Sequence, residues 1–182
     1  VRVEYHPLGV IGAIVPWNYP FHNVMNPVSA ALPAGNGIVV KVSEYASWST
    51  KYYGAMLDAA LKAVGAPPGL VQFVHGYAEV GSALVSCVDQ VIFVGSPAVG
   101  MKVMATASKT LTPVVLELGG KDPFVVCDDV KEAELDRIVQ IALRGVFQSM
   151  GQNCAGPERF FVARPVYEAF CSKISAVATK LT

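Results

Sequence analysis

Val91-Ile92-Phe93-Val94-Gly95-Ser96-Pro97-Ala98-Val99-Gly100 is the stretch on which the fold turns. Its first four residues are apolar and mostly β-branched, a run suited to a strand covered on both faces. Gly95-Ser96-Pro97 is turn chemistry, and Met101 to Ser108 continues with a helical pattern, so the stretch reads as strand, glycine-bounded turn and helix. Backbone N–H groups and the positive end of such a helix suit a pyrophosphate. The turn lacks the G-x-G-x-x-G spacing, however, and a purely structural turn explains it equally well.

The same grammar extends in both directions. Apolar runs at Val10 to Val15, Gly37 to Val40, Leu70 to Val74, Val114 to Leu118 and Phe124 to Cys127 have strand length and turn-type neighbours, which predicts buried parallel strands. Helices are predicted over Ser49 to Val64, ended by Gly65 and Pro67, and over Glu132 to Gln148, with Ile138, Ile141, Ala142 and Gly145 on one face. The charge run Lys131 to Arg137 fits the solvated first turns of the second helix. Phe160 to Ala163 and Tyr167 to Lys180 predict one more strand and helix. Strands alternating with helices make βαβ units, so the fold class is α/β: a Rossmann-like parallel sheet with flanking helices.

Composition narrows the partners. Of 182 residues, 53% are hydrophobic and 15% charged, which is enough apolar surface for a large core. Lys plus Arg and Asp plus Glu balance at 14 each, so nothing favours capture of nucleic acid or of an anionic membrane. No apolar stretch reaches the roughly twenty residues of a membrane span, and no signal peptide is visible. Cys87, Cys127, Cys154 and Cys171 lack C-x-x-C or Cys/His spacing, which fits reduced thiols in a compartment such as the cytoplasm and no metal site. Three of the four are expected to be packing residues, and His6, His22 and His75, far apart in sequence, to be structural.

Chemistry concentrates in two segments. Gly151-Gln152-Asn153-Cys154-Ala155-Gly156 sets a thiol among small residues, where a substrate can approach the backbone closely. Leu116-Glu117-Leu118-Gly119-Gly120-Lys121 ends a predicted strand with a carboxylate able to activate water against a thioester. Either alone is explained as well by a buried thiol or a strand-end carboxylate; together they suggest covalent catalysis.

Joined to Pro16-Trp17-Asn18-Tyr19-Pro20 and to the Phe93–Gly100 stretch, these segments resemble the aldehyde dehydrogenase superfamily, in that family's own order. The resemblance runs from the first residues to the last, while family members are well over twice as long. The chain therefore resembles an internal piece: residues 1–149 as a dinucleotide-binding domain incomplete at its N-terminus, and 150–182 as the start of a catalytic domain. Val1 is not expected to be a natural start, and a segment ahead of it would be where a membrane anchor lies, if there is one. Val3 to Val10 and Lys41 to Trp48 are most similar to a plant and algal branch, family twenty-two.

The resemblance implies a role for each matched residue. Lys41 and Glu44 hold the adenosine ribose, Ser96 lies near phosphate and Val99 near adenine, while Val15 and Trp17 border the nicotinamide. Pro16, Gly95, Leu118 and Gly119 join them as cofactor-binding positions. Glu44 accepts from a ribose 2′-hydroxyl and repels a 2′-phosphate, which favours NAD, with NADP as the second cofactor. Cys154 adds to an aldehyde, Asn18 and the Cys154 backbone N–H stabilise the resulting oxyanion, hydride passes to the nicotinamide, and Glu117 activates the water that releases a carboxylate. Two departures stand out: Pro97 replaces the family's usual threonine, and Asn26-Pro27 stands where many members carry Trp-Lys. The second is shared with relatives that oxidise fatty and aromatic aldehydes, so a long-chain or aromatic aldehyde is the expected substrate. Full-length relatives imply a homodimer or homotetramer. The alternatives are an acylating, coenzyme A-dependent semialdehyde dehydrogenase, against which Glu117 argues, a non-catalytic structural or binding relative, and, last, a cysteine hydrolase.

Overall fold

A computed structural model of the chain describes residues 1–181. They form two compact units, Val1–Leu118 and a second that begins at Gly119. The first unit runs β1 (Val10–Ile14), α1 (Pro20–Ala31), β2 (Gly37–Lys41), α2 (Ser47–Ala63), β3 (Val71–Val74), α3 (Ala78–Val85), β4 (Gln90–Gly95), α4 (Pro97–Ala107) and β5 (Val114–Leu118). The second runs β6 (Asp122–Val126), α5 (Glu132–Phe147), β7 (Pro157–Val162) and α6 (Arg164–Ala178).

The five strands of the first unit make one all-parallel sheet in the order β3-β2-β1-β4-β5. Its two faces follow from the period of two along each strand. In β1, Ile11 and Ala13 face a core that Val15 extends beyond the strand and that is shared with Val24, Val28 and Ala31 of α1 and Ile38 and Val40 of β2. Ile14 faces the opposite core, built on Val85 of α3, Val91 and Phe93 of β4 and Val103 and Ala107 of α4. Covering on both sides is what an all-parallel sheet requires, and it explains the continuous apolar strand runs.

The second unit has its own core, in which Val126, Leu135, Val139, Ala142, Leu143, Val166 and Phe170 are buried beneath the parallel pair β6-β7. The strand near Phe124 to Cys127 pairs with β7, and the compact units divide after Leu118. The buried stripe of α5 is Leu135, Val139, Ala142 and Leu143 with Ile138 packed against it, while Ile141 is exposed. Helix α1 is absent from the sequence reading because its prolines read as punctuation. Pro20 occupies the first turn, where a missing N–H costs nothing, and Pro27 lies inside the helix, where one i→i−4 bond is lost.

Gly12 lies on the face of β1 that meets α3 and the turn after it. A Cβ there would stand 2.9 Å from Val88 Cγ2 and 3.2 Å from Leu84 Cγ. Gly12→Val is therefore expected to lower the stability of the full-length protein by about 1–3 kcal/mol, read as a drop in urea midpoint at unchanged slope. An unchanged midpoint would mean that α3 does not approach β1 this closely.

Candidate active site

Because all strands of the first sheet are parallel, their carboxyl ends share one edge, and the sequence order of the strands reverses between β1 and β4. Loops leaving those two strands diverge to opposite faces, which opens a crevice outside their carboxyl ends. Val15, Pro16, Trp17 and Asn18 follow β1 directly, with Val15 N–H donating to the Lys41 carbonyl at 3.0 Å. Gly95 ends β4 and Ser96 caps α4, its Oγ accepting from Val99 N–H at 3.4 Å. Pro97 occupies the first helical position and has no N–H to offer a ligand, so Ser96 and Ala98 supply the donors at this helix start. Pro97, Ala98 and Val99 are all exposed.

Lys41 ends β2 and is buried, its side chain only 9% exposed, and its Nζ lies 3.9 Å from Glu44 Oε2. Ser43 Oγ donates to the same Glu44 oxygen at 3.4 Å, while the Glu44 side chain keeps 38% of its surface in solvent. The buried lysine thus lies beside a carboxylate that the sheet edge presents to solvent. Glu117 lies in β5 in register with Val94 and is exposed; by the strand's alternation it shares a face with Val115, opposite Leu116 and Leu118. The first unit thus gathers Asn18, Lys41, Glu44, Ser96, Val99, Glu117 and Leu118 at or beside one edge.

Gly119 and Cys154 belong to the second unit. Cys154 is exposed, in a turn closed by Gly156 N–H donating to the Asn153 carbonyl at 3.1 Å and braced by Ala155 N–H donating to Asn153 Oδ1 at 3.3 Å. Ser149, Met150 and Gly151 precede it with φ of 54°, 59° and 74°, a run of left-handed residues of which only the glycine is at ease. Val146, Gly151, Asn153, Gly156, Pro157 and Glu158 line a cavity of about 250 Å³ beside the loop. Downstream, Glu158 pairs with the Lys121 ammonium and Arg159 Nε donates to the Lys121 carbonyl at 2.6 Å. The residues just ahead of β6 are thereby tied to the strand that follows the cysteine loop.

The remaining cysteines do not match the packing expectation. Cys87 and Cys127 are exposed, and Cys171 is half-buried on α6. A hydrogen bond with Cys171 one turn away holds the Tyr167 phenol above its ordinary range, with smaller contributions from the charge of Cys171 and of Glu168. Among the described residues no cluster of His, Cys, Asp or Glu is disposed to hold a metal ion, and no helix is long and apolar enough to cross a membrane. Asn23 is the site-adjacent side chain that sequence reading passed over: it is buried on α1 and donates to Asn18 Oδ1. An asparagine on the apolar stripe of a helix was the available signal, hidden because the helix itself was not recognised.

The sequence pattern of the aldehyde dehydrogenase family matches residues 1–182. The chain belongs to the aldehyde dehydrogenase family. Two of its relatives in that family are aldehyde dehydrogenase-like proteins of yeasts. That of Schizosaccharomyces pombe is 46% identical over 174 residues, covering 94% of this chain and 33% of the relative. That of Saccharomyces cerevisiae is 43% identical over 174 residues, covering 92% and 27%. Among solved structures, lactaldehyde dehydrogenase from Escherichia coli superposes with a TM-score of 0.87 at 34% identity, covering 97% of this chain and 36% of that one. The chain thus spans about a third of the length of these family members.

The left-handed run before Cys154 sets a testable constraint. Met150→Val puts a β-branched residue at φ 59° and is expected to destabilise the full-length protein by about 1–2 kcal/mol, whereas Met150→Gly is expected to be tolerated. Equal urea midpoints for the two variants would show that Met150 is not left-handed.

Proposed function

We propose that this chain forms the dinucleotide-binding part and the nucleophile loop of an NAD(P)-dependent aldehyde dehydrogenase that converts an aldehyde to a carboxylate. The observation that carries this reading is the placement of Lys41, Glu44, Ser96 and Glu117 at the carboxyl edge of one parallel sheet, on either side of the β1/β4 reversal. The donor set at that edge suits a dinucleotide. The start of α4, capped by Ser96, offers N–H groups and a positive dipole end to pyrophosphate, and Glu44 offers a carboxylate to a ribose diol. The same carboxylate repels a 2′-phosphate, so NAD is preferred and NADP is the weaker cofactor. A bound nicotinamide supplies the hydride acceptor.

In this reading the residues divide the work by chemistry. The Cys154 thiolate adds to the aldehyde carbon, and charge appears on the aldehyde oxygen only as the bond forms. The Asn18 side-chain amide and the Cys154 backbone N–H donate to that oxygen, stabilising the transition state more than the ground state. Cys154 would then carry the acyl group as a thioester, and Glu117 would take a proton from the water that attacks it. Val15 and Trp17 would border the nicotinamide side; Val15 is buried, while Trp17 keeps 45% of its surface exposed. Pro16, Gly95, Val99, Leu118 and Gly119 complete the cofactor contacts. Asn26 is exposed and Pro27 buried in α1, and their replacement of the Trp-Lys pair supports a long-chain or aromatic aldehyde. Kinship with full-length members supports a homodimer or homotetramer.

In the full-length protein Cys154→Ala is expected to abolish aldehyde oxidation while NAD affinity stays nearly unchanged. Glu117→Gln is expected to keep a pre-steady-state burst of NADH and to slow later turnovers, because acylation needs the thiol and hydrolysis the base. Turnover by the Cys154 variant would remove the thiol from the chemistry. Loss of burst and turnover alike in Glu117→Gln would give the carboxylate a part in acylation too.

A further inference from the structure

Asn23 binds the Pro16–Tyr19 turn at three points. Its Nδ2 donates to the Pro16 carbonyl at 3.3 Å and to Asn18 Oδ1 at 3.3 Å, and its backbone N–H donates to the Tyr19 carbonyl at 2.8 Å. The residue is only 9% exposed, on the buried stripe of α1 with Val24, Pro27 and Val28. Both Asn23 side-chain N–H groups are therefore given to the turn that carries Asn18, from a helix fixed in the core.

A primary amide is nearly symmetric in shape, and half a rotation about its last bond exchanges its acceptor for its donor. For an oxyanion role that exchange matters, because Nδ2 helps a developing negative charge and Oδ1 opposes it. Asn23 Nδ2 can only donate. It pairs with Asn18 when Oδ1 faces it, and the rotated amide would set N–H against N–H in a buried place. We propose that Asn23 is a positioning residue that selects the Asn18 rotamer in which Nδ2 is turned to the reacting oxygen. This proposal rests on the reading of Asn18 as the oxyanion donor.

The test is a double-mutant cycle in the full-length protein, read as the rate constant of the NADH burst and the dissociation constant for NAD. Asn23→Leu keeps the volume and removes the donor. Asn23→Asp keeps the shape and accepts in place of donating, which turns the Asn18 amide around. Each is expected to slow the burst about tenfold or more with NAD affinity changed less than about twofold, and in an Asn18→Ala background each is expected to add less than about a further twofold. A normal burst in either Asn23 variant, with Asn18→Ala slow, would overturn the positioning role and leave the oxyanion reading standing. Full additivity with Asn18→Ala, or an equal loss of NAD affinity, would show that Asn23 acts on the turn as a whole and would also overturn it. A normal burst in Asn18→Ala itself would remove the oxyanion reading and take the proposal with it.

Discussion

Parallel pairing of β1 with β2 on one side and with β4 on the other is the constraint on which the first unit's chemistry depends. One strand has two parallel neighbours, and the chain departs from it toward opposite faces of the sheet. The crevice at the carboxyl edge is a consequence of that connectivity, before any ligand-binding side chain is considered. The Val15–Asn18 segment emerges at that edge between Lys41 and Glu44 on one flank and Gly95 and Ser96 on the other. Placement of these residues costs no special loop, since each lies at or within a few residues of a strand end.

What fixes the strand ends in place is burial on both sheet faces combined with satisfied polar groups at its borders. Ala13, Val40 and Val91 have no measurable exposure, and a buried aliphatic side chain contributes roughly 1.5–3 kcal/mol over an exposed one. At the amino end of β1, Asn36 Oδ1 accepts from the Leu8 and Gly9 N–H groups at 2.6 and 2.9 Å, and its Nδ2 donates to the Ala31 carbonyl at 3.4 Å. At the carboxyl end Asn23 plays the corresponding part for the Pro16–Tyr19 turn. Each such bond is modest, about 1 kcal/mol net, but an unpaired buried amide would cost more than that, so the two asparagines fix the conformation of the chain entering and leaving β1.

Much of this was legible in the sequence, for physical reasons that also explain the misses. Strands β1, β2 and β4 were readable because burial on both faces writes uninterrupted apolar, largely β-branched runs such as Val91 to Val94, and β3 and β5, partly exposed at the two ends of the sheet, because their apolar runs have turn-type neighbours. Cys154, Glu117 and Asn18 stand out as candidates because each sits in a short motif beside glycine or proline. Helix α1 was not, because Pro20 and Pro27 carry the same local signal as a loop and only packing of Val24 and Val28 overrides it. Pairing of β6 with β7 rather than β5 was not, since strand runs reveal existence and not partners. Ile141 is exposed because the stripe through Leu135, Val139 and Ala142 fits the helical period equally, and packing with Val166 and Phe170 decides between the two faces.

Under the proposed chemistry Cys154 alone carries the acyl group, and it does so only when NAD is bound. Peptide mass spectrometry on full-length Glu117→Gln protein, quenched after one turnover with an aldehyde, reads this directly. With NAD present the peptide containing Cys154 is expected to carry the acyl mass, and without NAD it is expected to carry none. An acyl mass on Cys87, Cys127 or Cys171, or NADH formed with Cys154 unmodified at every quench time, would contradict the assignment.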